Sequence, residues 1–171
     1  MKNVHTRVFP YPLALVRSWI ELAWSDSQQD IFPRDVIRPW RINPDGSERL
    51  VPGQTQLGHG PFVFTLRWWD GVLWLADLDA DCGWQGFHLV ERRGKTRVTH
   101  TFSAALPLAS RLAIVPVHDW AVEAMFDRLA IALATGAVPR ETTRPMGFLA
   151  RRMLEAMRER RGLGELAMSL R

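Results

Sequence analysis

The five histidines and the single cysteine are the side chains of this chain best suited to move protons or bind metals. His100 stands between Val98 and Phe102 in an alternating segment, and His118, Asp119 and Glu123 gather within a few residues of one another. A buried imidazole beside a carboxylate can act as a general base for proton abstraction next to a carbonyl, the step a cyclase or dehydratase needs. The plainer role is a core histidine bonded to backbone, with Asp119 a helix cap, and sequence separation alone does not bring these side chains together. Asp77, Asp79 and Asp81 open like a calcium loop, but Cys82 stands where that loop needs glycine and His88 where it needs glutamate. Period-two spacing puts the three aspartates on the solvent face of a strand, within reach of Arg92, Arg93 or Arg97. Cys82 has no second cysteine and no histidine at motif spacing, and Gly58-His59-Gly60 is too short for a dinucleotide fingerprint. Serine elbows, phosphate-binding loops and zinc spacings are missing, so neither a metal nor a cofactor is expected.

Charge separates the chain into two parts. Of the 22 basic residues 20 are arginine, and the sequence pI is about 10.2. Residues 1–139 balance 14 basic against 14 acidic residues, whereas residues 140–171 hold 8 arginines and 4 glutamates. The surplus belongs to the tail, which argues against a basic DNA-binding domain and gives a division into a neutral body, 1–139, and a basic extension, 140–171. In the extension a second helix is expected over roughly 146–160, with Phe148, Leu149, Met153 and Met157 near one side among Arg151, Arg152, Arg158, Arg160 and Arg161. Such a segment can touch anionic lipid, RNA or a partner groove; the plainer alternative is a terminal helix docked on its own domain with arginine heads in solvent. The lone cysteine and the lack of a secretory signal point to a reducing cytoplasm. The longest apolar runs, Leu112 to Val117 and Leu129 to Ala134, fall far short of the ~20 residues of a membrane span.

The elements that must position these residues follow from periodicity. Val4 to Phe9 predicts a first strand, and Leu13, Val16 and Ile20 predict an amphipathic helix over 12–24, with a short helical turn before Pro33. From about 36 to 105, β-branched and aromatic segments alternate with turn signals, predicting an antiparallel meander of about six strands. Ala76 and Leu78 share one side of their strand with Val72, Trp74 and Ala80, and Phe62, Phe64, Leu66 and Trp68 share one side of theirs. A type II′ turn at Gly94-Lys95 would pair Leu89 with His100, leaving Phe87, Leu89, Val98, His100 and Phe102 on one apolar face. After a loop through Pro107 and Pro116, Asp119 caps a last long helix that Gly136 and Pro139 stop, with an apolar stripe of Val122, Met125, Phe126, Leu129 and Leu133.

The resulting order is strand, helix, short helix, meander, long helix, and the economical packing is that long helix laid across the concave face of a curled sheet. Pro12-Leu-Ala-Leu-Val-Arg-Ser-Trp19, Gly83-Trp-Gln-Gly-Phe-His88, and Thr96-Arg-Val-Thr-His-Thr-Phe102 leading to Val117-His-Asp-Trp-Ala-Val-Glu123 carry a likeness to a known family. Over residues 3–136 the chain resembles the START-like (SRPBCC, helix-grip) superfamily, in particular its polyketide cyclase/dehydratase-like branch. The resemblance implies an α+β helix-grip fold of about seven strands around a C-terminal helix. It also implies a cavity between sheet and helix for a hydrophobic, lipid-like or aromatic molecule. Trp40, Phe62, Phe64, Trp68, Trp74, Phe87 and Phe102, with Met125, Phe126 and Leu129 from the helix, are then the candidate lining, and His100 the candidate base of a cyclase or dehydratase. An interaction module docking through its basic tail is a third function class.

Overall fold

The computed structural model describes residues 1–22, 31–33, 39–42, 51–59, 62–70, 72–78 and 83–156. Within them the alternating segments form strands β1 (Lys2–Phe9), β2 (Pro39–Ile42), β3 (Gln56–His59), β4 (Phe62–Trp69), β5 (Leu73–Leu78), β6 (Gly83–Arg92) and β7 (Lys95–Ala104). All seven join one antiparallel sheet in the order β1-β7-β6-β5-β4-β3-β2, so the meander runs in sequence order and β1 closes against its last strand. Helix α1 (Leu13–Leu22) follows β1, and α2 (Leu108–Thr135) follows β7. Residues 148–156 form a third helix, α3. The helical turn expected before Pro33 lies outside the described residues.

Period two on the strands and period 3.6 on the helices place one hydrophobic core between the sheet, α2 and α1. Val16 and Ile20 of α1, Phe64 and Leu66 of β4, Phe87 and Leu89 of β6, Val98 and Phe102 of β7, and Met125, Phe126 and Leu129 of α2 are all buried there. Each such side chain contributes about 1.5–3 kcal/mol by leaving water. Gly136 ends α2 in the left-handed conformation, φ 74°, and donates its N–H to the Ala132 carbonyl.

Three local features differ from expectation. The β6–β7 turn is centred on Arg93-Gly94, whose φ values are 54° and 69°, so that Arg92 pairs with Lys95 and Leu89 with Val98. Two consecutive positive φ values make a turn of the I′ kind, which suits the right-handed twist of a hairpin better than the II′ turn read at Gly94-Lys95. The register therefore moves by two residues, which keeps Phe87, Leu89, Val98, His100 and Phe102 on the inner face. Arginine is an unfavourable occupant of a left-handed position. Arg93→Asn is expected to raise stability by about 0.5–1 kcal/mol, read as a higher urea midpoint; an unchanged or lower midpoint would contradict this turn.

A register shift between Leu66 and Trp68 is the second difference. Leu66 pairs with the inward Ala76, but Trp68 pairs with Leu75, so Trp68 turns to the outer face and is 51% exposed. It does not belong to the inner surface. The third is the length of α2, which starts at Leu108 and passes through Pro116. Proline removes one i→i−4 bond, yet the turns before it persist, with Ile114 packed on the core. Asp119 therefore lies well inside the helix and is not its cap.

Beyond the core, α3 docks on α2. Val117, Trp120 and Ala124 bury against Ala150, with Met146, Met153 and Leu154 packed around them, and the Trp120 indole donates to the Arg144 carbonyl at 3.3 Å. Within α3 the spacing 150, 153, 154 is one helical face, and Met146 packs just before its start. Phe148 and Leu149, assigned to the apolar side from sequence, are instead 80% and 54% exposed. Arg151 and Arg152 are exposed, while Met157, Arg158, Arg160 and Arg161 lie outside the described residues.

Candidate functional site

On β1 the inward positions are Asn3, His5, Arg7 and Phe9, and Val4 and Val8 face out, 51% and 56% exposed. The polar inward positions meet a ladder of acids at i, i+4 and i+8 on α2. Asn3 Nδ2 donates to Asp119 Oδ1 at 2.7 Å. His5 bridges two carboxylates, with Nε2 3.1 Å from Asp119 Oδ1 and Nδ1 2.9 Å from Glu123 Oε1. Arg7 donates to Glu123 Oε2 at 2.5 Å and to Asp127 Oδ1 at 2.6 Å, and Arg144 donates from Nε to Asp127 Oδ2 at 2.7 Å. Burial alone would raise the Asp127 carboxyl, but the bonds from Arg144 and Arg7 outweigh it and hold the group below the usual carboxylate range.

Inward from this ladder stands a group of rings. His5, His100 and Phe87 are cross-strand partners on β1, β7 and β6 and so share the inner face. His100 is 3% exposed, its ring centroid 4.7 Å from Phe87 and 5.1 Å from His118. The His118 ring also lies 4.9 Å from Phe102 and 6.0 Å from His5. Its side chain is 9% exposed, and among the described residues neither ring nitrogen has a hydrogen-bond partner; Asp119 Oδ1 lies 4.0 Å from Nδ1. Burial pushes the His118 imidazole below its ordinary value, so it is neutral at pH 7. His118 in turn holds the Asp119 carboxyl low, with help from Asn3 and His5 against partial burial.

No protein-family model matches the chain, and no curated protein matches it in sequence. Solved structures do match its architecture. Ms6760 from Mycobacterium smegmatis superposes with a TM-score of 0.57 at 13% identity, over 79% of this chain and 92% of its own. CalU16 from Micromonospora echinospora gives 0.56 at 12% identity, over 92% of this chain and 86% of its own. The chain has the helix-grip fold. DynU16, a protein of the dynemicin biosynthetic locus, shares that fold with a TM-score of 0.55 at 15% identity, over 82% of this chain and 50% of its own. A likeness over 92% of the chain does not fit within residues 1–139, so CalU16 shares part of the extension as well.

In helix-grip terms, Phe64, Phe87 and Phe102 lie on the gripping face of the sheet and Met125, Phe126 and Leu129 on the gripped helix, each no more than 3% exposed. The register pairs Trp74 with Phe87 and with Trp69, and Phe62 and Trp40 sit in β4 and β2; the side chains of Trp40, Phe62, Trp69 and Trp74 are outside the described residues. Asp77 pairs with Arg67 at 3.0 Å across β4–β5, not with the arginines of the β6–β7 hairpin. Those lie past the opposite end of β5, whose Asp77 stands beside Trp84. Asp79, Asp81 and Cys82 are outside the described residues. His5, Asn3 and Arg7 escaped sequence reading; the signal for them was the acid ladder Asp119, Glu123 and Asp127, which demands polar partners. No helix among the described residues is long and apolar enough to cross a membrane.

Proposed function

We propose that this helix-grip domain binds a hydrophobic small molecule, aromatic or lipid-like, between the inner face of its sheet and α2. The observation that carries the reading is the pair of imidazoles, His100 and His118, set inside that interface in ring contact with Phe87 and Phe102. Among the described residues neither ring nitrogen of His118 has a hydrogen-bond partner, and burying such an imidazole costs free energy unless a polar group meets it. A ligand with a hydroxyl or carbonyl in an apolar frame is such a partner. The membership of DynU16 in a biosynthetic locus fits a ligand of that kind.

Native mass spectrometry of freshly purified protein from several hosts tests the proposal. An apolar adduct released on denaturation is expected, together with tryptophan quenching by a hydroxylated polycyclic aromatic. His118→Phe should weaken that probe about tenfold, the loss of one buried hydrogen bond. Neither adduct nor quenching in any preparation would sink the reading. The alternative, a cyclase or dehydratase with His100 as base, is favoured by the adjacent neutral His118 and gains support if wild type, but not His100→Phe, turns over a β-keto thioester.

A further inference from the structure

The geometry points to a divalent transition-metal site formed by His5, His118 and Asp119, where β1 crosses the start of the gripped part of α2. One ligating atom from each of these three side chains lies within 4.8 Å of the other two. His5 Nε2 and Asp119 Oδ1 are 3.1 Å apart, and His118 Nδ1 and the same oxygen are 4.0 Å apart. Nitrogen and oxygen ligands held at about 2.0–2.2 Å from a tetrahedral ion stand roughly 3.3 Å from each other, so the first pair fits and the third ligand needs a ring shift on the order of 1 Å.

The surroundings are those of a metal site. The His5 Nδ1–H can donate to Glu123 Oε1, 2.9 Å away, which orients the ring and leaves the Nε2 lone pair aimed at Asp119. Asn3 fixes the Asp119 carboxylate, and Arg7 fixes Glu123. In that tautomer two acceptors face each other at 3.1 Å, and only a cation between them reconciles the contact. A proton on His5 would serve for this pair, but it leaves His118 with both ring nitrogens buried and unpartnered among the described residues. A metal ion engages all three groups. Two imidazoles and one carboxylate suit zinc or a similar first-row ion and not calcium or magnesium. Asp119, with 43% of its side chain exposed, is the side from which the ion enters. Three protein ligands leave a fourth position for water or a ligand group. The site shares His118 with the small-molecule reading but is tested by metal binding alone, and it ties the first strand to the last long helix.

The test is zinc titration of the tag-free full chain, stripped with chelator, by isothermal calorimetry, with cobalt(II) absorption reporting geometry. One zinc per chain is expected, with Kd in the micromolar range or below, tetrahedral cobalt bands and a raised Tm. His118→Ala and Asp119→Asn should each weaken zinc about 100-fold, and Asn3→Ala about tenfold. His88→Ala, which removes an exposed imidazole elsewhere, should change nothing. Asp119→Asn removes a surface-accessible group, and its retained melting transition guards against misreading an unfolded variant. Zinc binding by wild type no tighter than by Asp119→Asn, or lost instead with His88, would overturn the site. So would nitrogen NMR showing His5 protonated on both ring nitrogens at saturating zinc.

Discussion

Replacing Phe126 by alanine is expected to destabilise the domain by about 3–5 kcal/mol, lowering Tm by roughly 6–20 °C. The ring is 0% exposed in the C-terminal half of α2, where the helix lies in the grip of the sheet. It meets Phe9 edge-on, with centroids 6.0 Å apart and planes at 75°, and the Arg7 guanidinium carbon sits 5.4 Å from its centroid. Truncation therefore removes a transfer contribution, an aromatic pair and a cation–π contact, and leaves a cavity walled by β1 on one side and α2 on the other. Urea unfolding measures this: the midpoint should fall with little change in slope, because the surface exposed on unfolding is nearly the same. Phe148→Ala is the matched control. That phenylalanine is 80% exposed, so its loss should shift stability by less than about 0.5 kcal/mol. A loss below about 1 kcal/mol at Phe126 would mean that α2 is not held as described.

What was legible in the sequence was what local chemistry determines. The stripe Val122, Met125, Phe126, Leu129 and Leu133 needed only helical periodicity, and Gly136 needed only its tolerance of positive φ. The inner face of the last hairpin survived a wrong turn because a two-residue slip preserves the parity of a strand. Trp68 shows the opposite case: one extra residue in β4 reverses every later position, and a bulge leaves no mark that period two can detect. Pro116 reads as a helix stop because its cost is local, whereas the packing that outweighs it, through Ile114, is not. The site was half visible. His118, Asp119 and Glu123 could be grouped from sequence and His100 placed on the inner face of its strand, but nothing brought the two together, and the strand that meets the helix residues begins over a hundred residues earlier. On β1 the apolar Val4 and Val8 alternate with Asn3, His5 and Arg7, and the ordinary rule would send the valines inward. The acids of α2 reverse that choice, since leaving three carboxylates against an apolar strand costs more than exposing two valines.

That reversal makes Arg7 the second large effect: Arg7→Met is expected to cost about 2–4 kcal/mol near neutral pH. Arg7 donates to Glu123 and Asp127 at once, and each of the three side chains is less than about a third exposed. Methionine keeps much of the stem that packs on Phe126 but leaves Asp127 to Arg144 at 2.7 Å, and Glu123 to His5 at 2.9 Å and to Arg144 only at 3.7 Å. The pH dependence separates this loss from simple repacking. The folded Asp127 carboxyl is held below its unfolded value of 3.8, so its stabilisation is complete above that value and is lost as pH falls through the lower, folded one. The difference between wild type and Arg7→Met should thus be full at about pH 6 and shrink as the Asp127 carboxyl protonates below about pH 4. Urea midpoints across that range measure it. A deficit that stays constant down to pH 3 would assign the role of Arg7 to packing on Phe126 and not to its charge. A deficit that shrinks would show that β1 is bound to α2 electrostatically, so that His5 is carried to His118 and Asp119 by its neighbours' charges and not by its own burial.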